Sequence, residues 1–169
     1  SLGKIAQDQR NYEDARELYQ QSLEIKEYLG DQSGQATSLY GLGNLAYLQG
    51  SYKEAQELYQ QSLQIAERLG DQSGQAQSQH QLGALACKLG DFESALEYAV
   101  QAFILFDAVH SPSRITSQQL IALIHSQMDE ATFTEHWRAI AGDLPLPDFS
   151  PEDTNQQVSD FSPESVSQQ

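Results

Sequence analysis

The sequence is dominated by an internal repeat with a period of forty residues. When residues 1–40 are aligned with residues 41–80, about 24 of the 40 positions are identical, and the octapeptide at 29–36 recurs unchanged at 69–76. A third copy follows in looser form, and a fourth, over about 113–142, is degenerate. A repeat of this length is one supersecondary unit that buries its apolar face against the next unit. The chain is therefore expected to fold as a stack of similar units.

Each repeat carries the pattern of two helices. Residues 36–49 place leucine and alanine at three- and four-residue spacing, which predicts a first helix with one apolar face. Gly50 is a stop signal, Ser51 is a predicted N-cap, and residues 52–69 predict a second helix that ends at Gly70. By this register, first helices are predicted at 36–49, 76–89 and 114–127.

The degenerate fourth unit is expected to close the stack, because the last apolar face of a solenoid needs a cover. Four side chains are predicted to face back toward the third repeat: Ile115, Leu120, Leu123 and Ile124. The closing helix is predicted to use Phe133, Trp137 and Ile140. A role for Trp137 as a ligand anchor is the alternative. One aromatic residue near the start of each second helix is expected in the core: Tyr12, Tyr52 and Phe92.

The run Gly41-Leu42-Gly43-Asn44, followed by Tyr52, Ala55, Tyr59 and Ser62, resembles the signature of the tetratricopeptide repeat (TPR) family. The forty-residue period resembles the TPRs of Leu-Gly-Asn-type adaptors, kinesin light chains and bacterial, including cyanobacterial, signalling proteins. The resemblance implies an all-α, right-handed α-solenoid of antiparallel helix pairs, with about three repeats and a degenerate capping pair over residues 1–142. Residue 1 falls inside a predicted first helix, so the chain is expected to be the C-terminal arm of a larger signalling or scaffold protein.

In TPR stacks the first helices line a concave groove, and the resemblance carries that geometry to this chain. The first helices at 36–49, 76–89 and 114–127 contain no Asp or Glu, so the groove is expected to be neutral to faintly basic although the net charge is −15. The candidate groove residues are Lys4, Gln7, Asp8, Tyr40, Asn44, Tyr47, Gln77, His80, Gln81 and Lys88. Asn44 is the leading candidate, because its amide can clamp a peptide backbone. The alternative is that Asn44 bonds within its own repeat. A neutral or acidic protein or peptide is the expected partner.

Other function classes are disfavoured by composition. The net charge of −15 argues against nucleic acid, and no apolar run approaches the roughly 20 residues of a membrane span. The four histidines lack metal-ligand spacing and no phosphate-binding loop occurs, so no enzyme activity, catalytic residue, metal or cofactor is predicted. A single cysteine, Cys87, and the absence of a recognisable secretory signal favour a cytoplasmic protein.

Residues 143–169 differ in character from the repeats. They contain six acidic residues, four prolines and no Lys or Arg, which predicts a disordered acidic tail. The sequence Asp-Phe-Ser-Pro-Glu at 148–152 recurs at 160–164. It is either chance similarity in a solvated tail or a duplicated docking motif anchored by Phe149 and Phe161, and the groove of this chain is one place where it would dock. The alternative to peptide binding is a structural spacer or self-association arm.

Overall fold

The computed structural model describes residues 2–146, with side chains from residue 11 onward. These residues form seven α-helices and no strand: α1 (Leu2–Leu29), α2 (Gln32–Leu48), α3 (Tyr52–Leu69), α4 (Gln72–Leu89), α5 (Phe92–Ala108), α6 (Arg114–His125) and α7 (Glu130–Ala141). From α1 to α6 each helix packs against the next one, and α7 packs against α5. Helix α2 also approaches α4, and α4 approaches α6, more closely than α3 approaches α5. Helices α2, α4 and α6 are therefore the inner row of the stack, and α1, α3 and α5 are its outer row. The predicted all-α helical-repeat solenoid is confirmed.

The turns between helices are set by glycines in the left-handed region. Gly50, Gly70 and Gly90 have φ values of 77°, 67° and 81°, a conformation that costs other residues free energy. After Gly70, the Asp71 carboxylate accepts a hydrogen bond from the Gly74 backbone N–H at 3.0 Å and caps α4. The equivalent aspartate caps α2 in the same way.

Because of these caps, the first helices begin at residues 32 and 72, four residues before the predicted positions 36 and 76. The third inner helix ends at His125, where 127 was predicted. Ser51 occupies the predicted N-cap position of α3, but its side chain makes no capping hydrogen bond.

The first repeat differs from the prediction of two helices separated by a turn. Helix α1 is continuous over Leu2–Leu29, so residues 2–10 do not form a separate first helix. The equivalent turns contain Gly50-Ser51 and Gly90-Asp91, whereas this position holds Arg10-Asn11. Without a glycine, the left-handed turn residue is unfavourable, and the helix continues.

The core is built by close approach at small residues. In the second repeat the ring of Tyr59 lies against Gly43, where an added Cβ would meet it at 2.6 Å. In the third repeat Ala99 replaces the tyrosine, and a Cβ on Gly83 would instead meet the Ala99 backbone nitrogen at 3.2 Å. The helix backbones therefore come together where the ring is missing. The predicted core aromatics near the start of each outer helix are half-buried: Tyr12, Tyr52 and Phe92.

The C-terminal helix pair covers the last repeat. Phe133 and Trp137 are buried and stack with ring centroids 6.2 Å apart. The indole N–H of Trp137 donates to the Leu144 carbonyl at 3.1 Å, which folds the segment after α7 back over the ring. Leu120 and Ile124 are buried as predicted, but Ile115 and Leu123 are 55% and 37% exposed. The helical register of α6 turns these two away from α5, so the prediction that they face the third repeat was wrong.

Candidate functional site

The candidate site is the side of α2 and α4, two helices of the inner row, that carries exposed and half-buried polar side chains, and it is called here the inner surface. Its side chains recur at three- and four-residue steps, so each helix contributes one stripe. Helix α2 contributes Ser33, Thr37, Tyr40, Asn44 and Tyr47, and α4 contributes Ser73, Gln77, Gln81, Ala84 and Lys88. Every one of these residues is exposed or half-buried.

A polar network joins the two stripes at their centre. The Gln81 side-chain N–H donates to the Tyr40 hydroxyl at 3.0 Å, which links α4 to α2. The hydroxyl of the fully buried Tyr59 donates to Asn44 Oδ1 at 2.8 Å, which links α3 to α2. Burial raises the pKa of the Tyr40 hydroxyl, and hydrogen bonds from Gln81 and Asn44 oppose that shift. Both hydroxyls are therefore neutral, and the carbonyl oxygen of Asn44 is already used within its repeat.

A cation–aromatic cluster lies at the C-terminal end of the two stripes. The Lys88 ammonium lies 5.6 Å from the ring centroid of Tyr47 and 5.6 Å from that of Tyr52. The ring centroids of Tyr47 and Tyr52 are 5.7 Å apart, and the ring planes are tilted by 57°. Burial raises the pKa of the Tyr47 hydroxyl, and the charge of Lys88 opposes that shift. The rings hold the exposed ammonium in place at this edge of the inner surface.

A small cleft of about 140 Å³ opens between the N-terminal halves of α2 and α4. Tyr40 and Gln77, two predicted groove residues, line it. Three further lining residues were not predicted: Ser33, Thr37 and Ser73. Ser33 and Ser73 lie in the first turns of the observed helices, ahead of the predicted starts at 36 and 76, and Thr37 lies one turn further on. The signal that would have found them is Asp31 or Asp71 followed three residues later by glycine, which marks the true helix start.

The predicted groove residue His80 is engaged inside the stack. Its Nδ1 lies 3.1 Å from the Ser117 hydroxyl of α6, and its ring packs edge-on against Phe106 of α5. Burial lowers the pKa of His80 to about 4, so the imidazole is neutral near pH 7. His80 therefore adds no positive charge to the inner surface, and its contacts tie three helices together.

Five predicted residues fall outside what the structure describes. The side chains of Lys4, Gln7 and Asp8 lie outside the described residues, and their backbone belongs to the continuous helix α1 and not to an inner helix. No turn separates these positions from the rest of α1, and their assignment to the groove remains a prediction. The tail residues Phe149 and Phe161 also lie outside the described residues.

Charge is segregated between the two rows of helices. Over their observed bounds, α2, α4 and α6 contain no Asp or Glu, and their Lys and Arg residues are Lys88 and Arg114. The exposed acids of the outer row are Glu13, Asp14, Glu17, Glu24, Glu27, Glu57, Glu67, Glu93, Glu97 and Asp107. The Arg114 guanidinium is paired with Asp107 at 3.1 Å, which leaves Lys88 as the cation beside the Tyr47 and Tyr52 rings.

Two family models match the chain, both described as tetratricopeptide repeat. One matches residues 1–68 and the other residues 75–110, and together they cover more than half of the 169 residues. The chain belongs to the tetratricopeptide repeat family. No curated protein matches it.

Other kinds of site are not evident in the described part of this TPR protein. None of the helices within residues 2–146 is both long and apolar enough to span a membrane. Among the described residues, no group of three or more His, Cys, Asp or Glu side chains is arranged to hold a metal ion. Burial raises the pKa of the half-buried Cys87 thiol, which disfavours the thiolate that a nucleophile needs.

Proposed function

We propose that the inner surface binds an extended, neutral-to-acidic segment of another protein. TPR repeats generally mediate protein–protein interaction and are typically non-catalytic, and the proposal adds where and what this chain binds. The observation that carries it is the segregation of charge, because the inner row holds no carboxylate and the outer row is densely acidic. A basic segment would be drawn to the outer row, whereas a neutral or acidic one meets no like charge on the inner surface.

Two positions offer contacts on this surface. The exposed Gln77 side chain lines the 140 Å³ cleft and provides both donor and acceptor atoms for a peptide backbone. The Lys88 ammonium is held over two rings and is exposed, so it is placed to receive a carboxylate. The carbonyl oxygen of Asn44 already accepts a hydrogen bond from the Tyr59 hydroxyl. Asn44 is therefore expected to hold Tyr59 in place more than to bind the peptide itself.

The test is a random peptide library displayed on phage and selected against the immobilised 169-residue chain. Selected peptides are synthesised with a fluorescent label and titrated by anisotropy. Affinities in the micromolar range are expected, about −8 kcal/mol. Lys88→Glu should weaken acidic peptides about tenfold, which is about 1.4 kcal/mol.

The matched control is Lys53→Glu, which makes the same charge change at an exposed lysine of the outer helix α3. Its effect should stay within about twofold, because the outer row does not contact the peptide. If both variants weaken binding equally, the peptide does not lie on the inner surface and the proposal fails. The same peptides also test docking of the tail, since removal of residues 147–169 should raise their affinity only if Phe149 or Phe161 occupies that surface.

The wider setting is also a proposal. The resemblance to bacterial signalling-protein repeats supports a cytoplasmic arm of a larger signalling or scaffold protein, and full-length sequence from the same gene tests it. A second candidate function is a spacer or self-association arm, and light scattering across a range of protein concentrations tests it.

A further inference from the structure

The three inner helices share one buried pattern, a serine followed four and seven residues later by an aliphatic residue. Its members are Ser38, Leu42 and Leu45 in α2, Ser78, Leu82 and Leu85 in α4, and Ser117, Ile121 and Ile124 in α6. Each of them is at most 8% exposed. The pattern aligns the helices residue by residue, and it shows that Ser117 follows Ser78 by 39 residues whereas Ser78 follows Ser38 by 40.

This alignment extends the inner surface onto α6. The residue just before the third member of the pattern lies on the inner surface in α2 and α4, where it is Asn44 and Ala84. In α6 the same position is Leu123, which is 37% exposed, and the exposed Thr116 lies two turns before it on the same face. One row across the inner surface therefore changes from an amide, through a methyl group, to an exposed aliphatic side chain.

A contact between α4 and α6 holds this row together. His80 Nδ1 lies 3.1 Å from the hydroxyl of Ser117, the first member of the pattern in α6. Leu123 is therefore kept beside Ala84, at about the 8–10 Å that separates the axes of packed helices. Because Ala84 presents only a methyl group, an aliphatic side chain of a partner has room to lie over it and against Leu123.

The positive charge of the inner surface lies at a defined distance from Leu123. Lys88 is one turn beyond Ala84, and its ammonium is held on the α2 side of α4, 5.6 Å from the ring centroid of Tyr47. One turn of helix and the width of α4 then separate the ammonium from Leu123 by about 15 Å. An extended chain advances about 3.3 Å per residue, so this distance corresponds to about four or five residues of a bound segment.

We propose that the segment bound by the inner surface carries an acidic residue and, about four or five positions away, an aliphatic residue. The carboxylate lies at Lys88, and the aliphatic side chain lies over Ala84 and against Leu123. The proposal rests on the proposed function and adds the class of segment that is bound. It combines two favourable terms, since α2, α4 and α6 contain no Asp or Glu to repel the carboxylate and the aliphatic contact removes Leu123 from water.

The test selects the phage-displayed random library separately on the wild-type chain, on Leu123→Ser and on Ile115→Ser. Ile115→Ser is the matched control, because Ile115 is a 55% exposed aliphatic residue of the same helix. Its counterpart in α4, Ala76, packs with Ala102 of α5 and does not belong to the inner surface. Wild-type and Ile115→Ser selections should enrich acidic and aliphatic residues at the stated spacing, whereas Leu123→Ser should keep the acidic preference and lose the aliphatic one.

Peptides selected by the wild type are then titrated by fluorescence anisotropy. Leu123→Ser should weaken them about tenfold, and Ile115→Ser should change their affinity by less than about twofold. Moving the aliphatic residue of a peptide by one position should weaken binding to the wild type but not to Leu123→Ser, because adjacent side chains of an extended chain point to opposite sides. Selected peptides without an aliphatic residue, or equal effects of the two serine variants, overturn the proposal.

The outcomes separate this proposal from the proposed function. If Lys88→Glu weakens the peptides while Leu123→Ser leaves them unchanged, the inner surface binds the segment but the aliphatic contact is wrong. If Lys88→Glu and Lys53→Glu act equally, or the wild type selects no peptide, both proposals fail. Sedimentation equilibrium tests a second copy as the occupant: a mass near twice 18.8 kDa that Leu123→Ser returns to 18.8 kDa assigns Leu123 to a contact between copies and overturns the proposal.

Discussion

The hydrogen bond between Tyr59 and Asn44 allows the structural role of Asn44 to be separated from a role in binding. The Tyr59 hydroxyl belongs to a fully buried side chain and donates to Asn44 Oδ1 at 2.8 Å. Asn44→Ala removes the acceptor, and an unpaired buried hydroxyl costs about 1–3 kcal/mol. Because Asn44 is half-buried, water entering the vacated space offsets part of this cost. A loss of about 1–2 kcal/mol in the free energy of unfolding is therefore expected.

The same change has a different expected result when the hydroxyl is absent. In a Tyr59→Phe background, Asn44→Ala leaves no buried donor unpaired, and alanine is the better helix former by up to about 0.7 kcal/mol. The substitution should then cost much less, because the remaining loss is the hydrogen bond from Asn44 to the Tyr40 hydroxyl, to which Gln81 still donates. The coupling between the two positions, measured by a double-mutant cycle, is expected to be about 1.5–2 kcal/mol.

The cycle is measured by urea unfolding of four proteins followed by far-UV circular dichroism. Fluorescence of Trp137, the single tryptophan, reports on the C-terminal cap. The free energies of unfolding are valid only if circular dichroism and fluorescence report the same transition, because repeats can unfold in separate steps. If Asn44→Ala costs the same in both backgrounds, the assigned hydrogen bond does not stabilise the fold and the reasoning is refuted. Weaker peptide binding by the double variant than by Tyr59→Phe alone would assign Asn44 a direct contact.

Two further predictions concern packing and pH. Gly43→Ala should lower the free energy of unfolding in urea by about 1–3 kcal/mol, because the added Cβ would meet the buried Tyr59 ring at 2.6 Å. This loss is expected although alanine favours helix more than glycine does. An unchanged unfolding midpoint would show that the ring can move aside. The pKa of His80 is lowered to about 4 in the folded protein, whereas its ordinary value is 6.5. The contribution of the neutral imidazole to the free energy of unfolding is therefore fully present above pH 6.5 and is lost as the pH falls toward 4. Between pH 7 and 5.5 the wild type should lose about 1 kcal/mol more than His80→Gln, and parallel curves for the two proteins would contradict this.

Much of the fold could be predicted from the repeat. Leucines and alanines at helical spacing marked the helices, and Gly50, Gly70 and Gly90 marked turns that the structure places in the left-handed region. These signals are local, because backbone sterics and helix periodicity act over a few residues. Helix starts were less visible, since the caps at Asp31 and Asp71 lie four residues ahead of the first periodic apolar position.

The candidate site was only partly predictable. Periodicity selected the positions of α2 and α4 that face inward, and the residues Tyr40, Gln77 and Lys88 lie there. Periodicity could not show that His80 is tied to Ser117, thirty-seven residues away. Nor could it show that Asn44 accepts from Tyr59, since each partner lies on a different helix.

The sequence by itself determined the repeating helices and the absence of carboxylates from α2, α4 and α6. Both follow from residue type and spacing alone. Only the tertiary structure decided which polar groups on that inner surface are already paired and that α1 continues through residues 10–11. Pairing depends on distances between helices that are far apart in sequence. The repeat pattern predicts a turn at residues 10–11, whereas α1 runs through them as one helix because no glycine is present there to take up the left-handed conformation.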